Sequence, residues 1–137
     1  LEKKGYELID IGMYSMDKDI PYYEIAAIAA QKIQSGEAAR AILFCGTGMG
    51  VSIVANKFKG IYASVVESEY TGQMAKVINN SNVLTLGGKI FSDHKAKITV
   101  DLWLEAEHTK GFWNPAAADF LKASLTEIKK IEDKNFK

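Results

Sequence analysis

The sequence predicts a three-layer α/β/α domain with a mainly parallel, Rossmann-like sheet and a C-terminal helix. Short apolar runs, which are typical of buried strands, alternate along the chain with segments in which apolar residues recur at helical spacing. Strands and helices that alternate in this way form a parallel sheet covered by helices on both faces. The 137 residues are enough for one domain with a sizeable core, and no repeat or low-complexity stretch interrupts them.

Four segments have the pattern of strands. Residues 6–11 alternate between apolar and polar side chains, as a strand with one buried face does. Residues 40–44 end in a continuous apolar run, and the strand at 82–86 is followed by a pair of glycines. The remaining strand is predicted at residues 62–66.

Helical periodicity appears between these strands and after the last one. Residues 22–34 are rich in alanine and isoleucine and stop at Ser35-Gly36, a typical helix end. The last segment, 115–131, is amphipathic and predicts a C-terminal helix. The other predicted helices are a short one that reaches about residue 57, one at 70–77 and one at 95–107.

Charge and cysteine content exclude several classes of partner. The 17 basic residues (Lys and Arg) balance the 17 acidic ones, so the formal net charge is zero. A neutral chain is a poor partner for nucleic acid or an anionic membrane, and no apolar run is long enough to span a bilayer. One cysteine cannot form an internal disulfide, and no secretory signal is visible. We therefore expect a cytoplasmic protein that binds neither nucleic acid nor membrane.

The most informative segment runs from Phe44 to Ser52 and reads Phe-Cys-Gly-Thr-Gly-Met-Gly-Val-Ser. It places Cys45, the only cysteine, between a predicted strand end and a helix start. The glycine-rich turn can direct several backbone N–H groups at one point, which suits an oxyanion or a phosphate. The same N–H groups lower the pKa of a nearby thiol. Proton abstraction beside a carbonyl requires a base of this kind next to an anion hole.

Each part of this segment also has a purely structural interpretation. Glycines permit close packing of a helix, and a lone cysteine is often a small buried hydrophobic residue. The combination of strand, cysteine, glycine-rich turn and helix favours a functional site. The turn lacks the Gly-Lys-Ser/Thr ending of a Walker loop, and Cys45 has no Cys-x-x-Cys partner for redox exchange.

Residues 45–61, Cys-Gly-Thr-Gly-Met-Gly-Val-Ser-Ile-Val-Ala-Asn-Lys-Phe-Lys-Gly-Ile, resemble the signature of the ribose-5-phosphate isomerase B and galactose-6-phosphate isomerase family. Residues 79–88 resemble its Asn-rich turn and next strand, 19–23 its Asp-Tyr-Pro segment, and 5–12 its second strand. The family normally has a strand and a helix before the position of Leu1. We therefore expect residues 1–137 to form a single domain of this family that lacks those two elements.

The resemblance implies an aldose–ketose isomerase acting on a sugar or sugar phosphate, with no metal and no cofactor. The proton would move between C1 and C2 through a cis-enediolate. Cys45 matches the family's base, and Thr47 matches the residue that handles the ring or a substrate hydroxyl. The expected substrate-binding residues are Gly46, Gly48, Met49, Gly50, Ser52 and Asn79. Three residues keep a second interpretation: Ser52 as a helix N-cap, and Thr47 and Asn79 as turn residues bonded to their own backbone.

The chain departs from the family's pattern at the groups that handle the ring and the phosphate. Ile78 stands where the ribose-phosphate enzymes carry a ring-opening histidine, and Ile20 replaces the tyrosine of Asp-Tyr-Pro. The phosphate-binding arginines near the chain end are absent, since Arg40 is the only arginine. An aliphatic side chain cannot move a proton. We therefore expect weak or no activity on ribose 5-phosphate. The preferred substrate should have little cyclic form, or carry an anion that is held by lysine and backbone N–H groups.

The loss at Ile78 resembles three branches of the family: one subunit of galactose-6-phosphate isomerase, the tetrulose-phosphate isomerases, and isomerases of non-phosphorylated deoxy-hexosulose uronates. Two alternatives to a sugar-phosphate isomerase remain open. The chain could be a non-catalytic or partner-dependent subunit of a hetero-oligomeric isomerase, or a uronate isomerase. Proton exchange at substrate C1 or C2 by the purified chain would separate the first of these from an enzyme.

Two aromatic residues, Phe112 and Trp113, precede the last helix in a loop. They either pack on a second subunit or cap the chain's own core. The resembling family forms dimers with the active site at the interface. We therefore expect a homodimer or a higher oligomer, with the C-terminal helix, residues 115–133, at the subunit interface.

Overall fold

The structure, a computed structural model, describes residues 1–15, 17 and 19–136. Its strands are β1 (Ala41–Cys45), β2 (Ala63–Val65) and β3 (Val83–Gly87). Its α-helices are α1 (Tyr22–Gln34), α2 (Met49–Ala55), α3 (Glu69–Val77), α4 (Asp93–Glu105) and α5 (Ala118–Asn135). Short 3-10 turns occupy Glu2–Lys4 and Pro115–Ala117.

The three strands form a parallel sheet in the order β1-β3-β2. β3 is the central strand, and all five of its residues are buried because it has a strand on each side and helices on both faces. The register pairs Ala41 with Val83 and Cys45 with Gly87. Because the strands are parallel, Cys45 and Gly87 end at the same edge of the sheet, where ligands bind in folds of this kind.

Helices cover both faces of the sheet, as the alternating pattern predicts. On one face, α1 and α2 pack over Leu43 and Val83. On the other face, α3 and α4 pack over Leu84 and Leu86. The three-layer architecture, the parallel sheet and the C-terminal helix are therefore confirmed. Trp103 of α4 is fully buried here.

Most predicted elements are confirmed with small shifts at their ends, and helix 22–34 is found with the predicted bounds. The strand predicted at 6–11 is wrong, because these residues form no strand in the structure. They lie across an open cavity of about 470 Å³ from the free edge of β1. A strand requires a hydrogen-bonded neighbour, and the alternating sequence pattern carries no information about whether one is present.

The C-terminal helix is attached to the body of the domain by the buried Leu121 in its first turn and by polar contacts in its last turns. The Glu132 carboxylate accepts hydrogen bonds from the backbone N–H of Gly60 and, at 3.1 Å, from the Tyr62 hydroxyl. Nearby, Lys59 and Asp133 form an ion pair at 2.6 Å. Phe120 on the outer surface of α5 is 72% exposed, so this helix presents apolar surface to solvent.

Within the described ranges, no helix combines the length and the apolar character that a membrane crossing would need.

Candidate active site

Cys45 is the last residue of β1, and the chain turns at Gly46–Gly48 into the N-terminus of α2. The backbone N–H of Gly48 donates a hydrogen bond to Cys45 Sγ at 3.1 Å. The thiol is half-buried, so it is held by the loop and is still accessible to a small molecule. The predicted arrangement of strand end, cysteine, glycine turn and helix is confirmed.

Two opposing effects act on the Cys45 thiol. Burial would raise its pKa, because it disfavours the charged thiolate. The backbone N–H groups of Thr47, Val51, Gly48 and Gly50 together outweigh burial and hold the pKa below its ordinary value of 9.0. The loop therefore stabilises the thiolate, which is the form that can accept a proton.

The close contact between this loop and the end of β3 depends on glycine. Gly48 has a φ of +79°, and a Cβ on it would lie 2.9 Å from the carbonyl carbon of Leu86. Gly87 faces the loop from the other side, and a Cβ there would lie 2.8 Å from the backbone of Thr47. The backbone N–H of Gly88 donates to the Cys45 carbonyl at 2.8 Å. The glycines thus allow β3 to support the loop directly.

Thr47 and Met49 lie at the open side of the loop. Thr47 is exposed, and its Oγ1 accepts a weak hydrogen bond from the Met49 N–H at 3.4 Å. Thr47 thus makes the hydrogen bond to nearby backbone that is typical of a turn residue. Its exposed hydroxyl is also open to a ligand. Met49 is 51% exposed at the first position of α2 and supplies an apolar side chain beside the thiol loop. Gly46 is exposed as well.

Ser52 is placed differently from either sequence-based interpretation. Its side chain is buried, and Oγ donates to the Ala63 carbonyl of β2 at 3.5 Å. It also accepts from Asn56 Nδ2 at 3.5 Å. The N-cap alternative is wrong, because Gly48 occupies the N-cap of α2 and no side chain caps it. Ser52 connects α2 to β2 and does not face the mouth of the loop.

Asn79 lies at the opposite edge of the sheet from Cys45. It follows the end of α3 and precedes β3, whereas Cys45 is paired with the last residue of β3. The five residues of β3 span about 13 Å at 3.3 Å per residue. The structure therefore does not bring Asn79 to Cys45 within one chain. A substrate contact from Asn79 stays a prediction that requires a second chain.

A histidine does lie against Ile78, although it is distant in sequence. His108 Nε2 is 3.3 Å from the Ile78 carbonyl oxygen, and the N–H of the next residue, Thr109, donates to the Val77 carbonyl at 2.8 Å. Both contacts satisfy carbonyl groups at the end of α3, which otherwise lack partners. His108 therefore caps α3, at the edge remote from Cys45 of the same chain.

The only arginine is also remote from the thiol. Arg40 directly precedes β1, and its Nη1 donates to the Leu104 carbonyl at 3.0 Å. Its guanidinium lies 5.7 Å from the centre of the Trp103 ring, within cation–π range. Arg40 is thus part of the packing around α4 and is not available to bind an anion at the Cys45 loop.

Lys89 is a residue of the site that sequence reasoning missed. Its backbone N–H donates to the Gly46 carbonyl at 3.0 Å, and its aliphatic chain passes the Cα of Gly46, with Cε 3.8 Å from the position of a Cβ. The side chain is exposed, so its ammonium group can meet an anion beside the loop. The sequence feature that could have identified Lys89 is the Gly-Gly-Lys segment at the end of β3, because β1 and β3 end at the same edge of the sheet.

Within residues 1–15, 17 and 19–136, no group of three or more His, Cys, Asp or Glu side chains is placed to hold a metal ion. The polar groups that the described residues place at the loop are the Cys45 thiol, the Thr47 hydroxyl, the Lys89 side chain and a set of backbone N–H groups.

A family model described as Ribose/Galactose Isomerase matches residues 1–116. The 4-deoxy-4-sulfo-D-erythrose isomerase of Clostridium sp. (strain MSTE9) is 43% identical over 135 residues, 97% of this chain and 83% of that protein. The ribose-5-phosphate isomerase B of Escherichia coli (strain K12) is 41% identical over 112 residues, 81% of this chain and 74% of that protein. Clostridium thermocellum ribose-5-phosphate isomerase B has a similar structure, with a TM-score of 0.84, 35% identity, and coverage of 97% of this chain and 84% of that one.

The fold, the loop around Cys45 and these likenesses define a sugar isomerase with a Rossmann-like α/β/α architecture. The chain belongs to the ribose/galactose isomerase family. As in its relatives, the reaction class is aldose–ketose isomerisation.

Proposed function

We propose that the protein interconverts an open-chain aldose and its ketose through a cis-enediolate, with the Cys45 thiolate as the base. The observation that carries this proposal is the group of loop N–H donors that surrounds Cys45 Sγ, with Gly48 N at 3.1 Å. The thiolate removes the proton from C2 of the aldose, and the resulting thiol returns a proton to C1, while the proton of the C2 hydroxyl passes from O2 to O1. The exposed side of the loop offers polar groups near the oxygen on which charge develops.

We further propose that the substrate is a four-carbon sugar with an anionic group at C4. A phosphate on O4 blocks furanose closure, and a sulfonate on C4 replaces the oxygen that would close the ring. Such a sugar stays open-chain, so it does not need the ring-opening histidine that Ile78 replaces. The 43% identity to an isomerase of 4-deoxy-4-sulfo-D-erythrose supports the same substrate size.

Recognition of the anion would depend on Lys89 and on backbone N–H groups. A lysine binds a phosphate or sulfonate as a point charge, whereas arginine makes a bidentate contact. Because Arg40 is held at α4, the lysine on the Gly46 loop is the cation best placed for this role. A single anionic group close to the reacting carbons suits a short sugar better than a long one.

The substrate can be tested with a panel of sugars measured side by side. We expect the kcat/KM for 4-deoxy-4-sulfo-D-erythrose or erythrose 4-phosphate to exceed that for ribose 5-phosphate, with unsubstituted erythrose as the control for the anion. Incorporation of deuterium from D2O at C1 of the ketose product, followed by NMR, reports the proton transfer itself. Turnover of ribose 5-phosphate as efficient as that of either four-carbon sugar would contradict the substrate assignment.

We also propose that two copies assemble so that Asn79 of one meets Cys45 of the other. This would reconcile the family's use of the asparagine with its remote position in a single chain. The exposed apolar side chains of Trp113 (76%) and Phe120 (72%) offer surface for such an interface. An active site shared between two copies would also explain why a single chain needs a partner to become active, which is the alternative that the sequence left open.

Complementation between two inactive variants tests the assembly. Cys45→Ala and Asn79→Ala should each be inactive alone. After they are mixed, unfolded and refolded together, mixed dimers contain one intact site and should recover up to about a quarter of the wild-type activity. No recovery from the mixture, while refolded wild type is active, would contradict a shared site.

A further inference from the structure

Tyr22 contacts the loop at a position where the loop has no side chain of its own. Tyr22 is the first residue of α1, and its ring lies against Gly50, the second residue of α2. A Cβ on Gly50 would lie 2.8 Å from Tyr22 Cε2 and 3.2 Å from Cζ. The absence of a Cβ at Gly50 therefore creates the space that the tyrosine ring fills.

The environment of Tyr22 is unusual for an aromatic residue that serves only the core. It belongs to neither buried cluster of the domain and is 50% exposed. Tyr23 packs edge-on against the ring, with the ring centres 5.5 Å apart. Among the described residues the Tyr22 hydroxyl has no hydrogen-bond partner. The buried part of the ring is thus the part that contacts the first turn of α2.

The first turn of α2 needs support of this kind. The helix has only seven residues, its N-cap is Gly48, and no side chain caps it. Glycines at the N-cap and at the second helical position leave the backbone free to adopt many conformations. A short helix of this type is held mainly by tertiary packing. β3 contacts the loop at Gly48, and Tyr22 contacts it one turn further on.

We propose that Tyr22 is a positioning residue for Cys45: its ring holds the first turn of α2 so that the N–H groups of Gly50 and Val51 remain directed at the thiol. The loop would then be fixed at two points, by β3 behind Gly48 and by the Tyr22 ring beside Gly50. Both N–H groups contribute to lowering the pKa of Cys45. Lys89, which follows β3, contacts the loop at Gly46, four residues before the glycine that Tyr22 contacts.

The proposal rests on the proposed function for its effect on turnover, but its central claim concerns the thiol alone. The pH dependence of Cys45 alkylation by iodoacetamide measures the thiolate fraction without any substrate. Because Cys45 is the only cysteine, the measured rate belongs to one residue. If Cys45→Ala kept its turnover, the proposed function would fail while the alkylation result for Tyr22 would still stand.

Tyr22→Ala should lower the alkylation rate at pH 7 by about three- to tenfold, the loss expected when one hydrogen bond to the thiolate is weakened, and should move the profile to higher pH. Tyr22→Phe keeps the ring and should match wild type. Tyr14→Ala is the control for the loss of an exposed tyrosine, because Tyr14 is 77% exposed and lies outside α1 and α2, and it should match wild type. Circular dichroism confirms that each variant is folded. An unchanged profile in folded Tyr22→Ala would overturn the proposal.

Gly50→Ala tests the same contact from the other side, since its methyl group displaces the ring without removing it. It should raise the pH at which Cys45 is alkylated, and it serves in place of Tyr22→Ala if that variant does not fold. In the double variant that carries both Tyr22→Ala and Gly50→Ala, the new methyl group occupies space that the ring has left. The double variant should therefore be no slower than the worse single variant, and additive losses would show that the two residues act separately.

Discussion

Two glycines with the same backbone conformation allow the loop geometry to be tested with an internal control. Gly48 and Gly60 both have a φ of +79°. An alanine at either position is strained by about 1–2 kcal/mol, since side chains disfavour the left-handed region. At Gly60 a Cβ meets nothing within 4 Å, so the strain is the whole cost.

Gly48 adds a steric cost to the same strain. Its Cβ would lie 2.9 Å from the Leu86 carbonyl carbon and 3.2 Å from the Gly87 nitrogen, which are backbone atoms of the central strand. Backbone of this kind cannot rotate away, so the loop must move, at a further cost of about 1–3 kcal/mol by analogy with overpacked cores. We therefore expect Gly48→Ala to lose about 2–5 kcal/mol of unfolding free energy, adding strain and overlap.

Urea unfolding followed by tryptophan fluorescence measures both variants, because Trp103 is fully buried. Gly60→Ala should lose the smaller amount and keep wild-type turnover. Gly48→Ala should also slow the alkylation of Cys45, because the displaced loop no longer presents the Gly48 N–H to Sγ. Equal stability losses in the two variants would refute the reasoning, since the contact with β3 would then contribute nothing.

Four further perturbations follow from the structure. Cys45→Ala should lower kcat by about 10²–10⁴-fold with little change in stability, the range for loss of a general base. Because the pKa of Cys45 lies below 9.0, the wild-type protein should remain reactive toward iodoacetamide down to a lower pH than a free thiol does. Lys89→Gln should raise KM for an anionic four-carbon sugar about tenfold, as expected for a lost contact to a charged group, whereas the exposed Lys122→Gln should not. Gly72→Ala should destabilise the contact between α3 and α4, because its Cβ would overlap Thr99 Cγ2. Adding Thr99→Ser removes that methyl group and should restore stability. A double variant as unstable as Gly72→Ala alone would contradict this explanation.

The parts of the protein that the sequence predicted are those that depend on neighbours along the chain. The helix at 22–34 follows from apolar residues at helical spacing and a Ser-Gly end, and the structure has it with the same bounds. The loop after Cys45 follows from one continuous segment in which strand, turn and helix are adjacent.

Other features depend on which segments meet across the sheet, and only the tertiary structure decided them. Asn79 and Lys89 both flank β3, but the parallel register puts Lys89 beside the Cys45 loop and Asn79 at the far edge. Ser52 is turned toward β2 by the helix to which it belongs, and Tyr22 reaches Gly50 because α1 packs beside α2. Sequence periodicity identifies the buried face of each element, because burial is a property of successive residues. Strand order, register and the contacts between distant segments arise from packing among all the elements, so no local pattern encodes them.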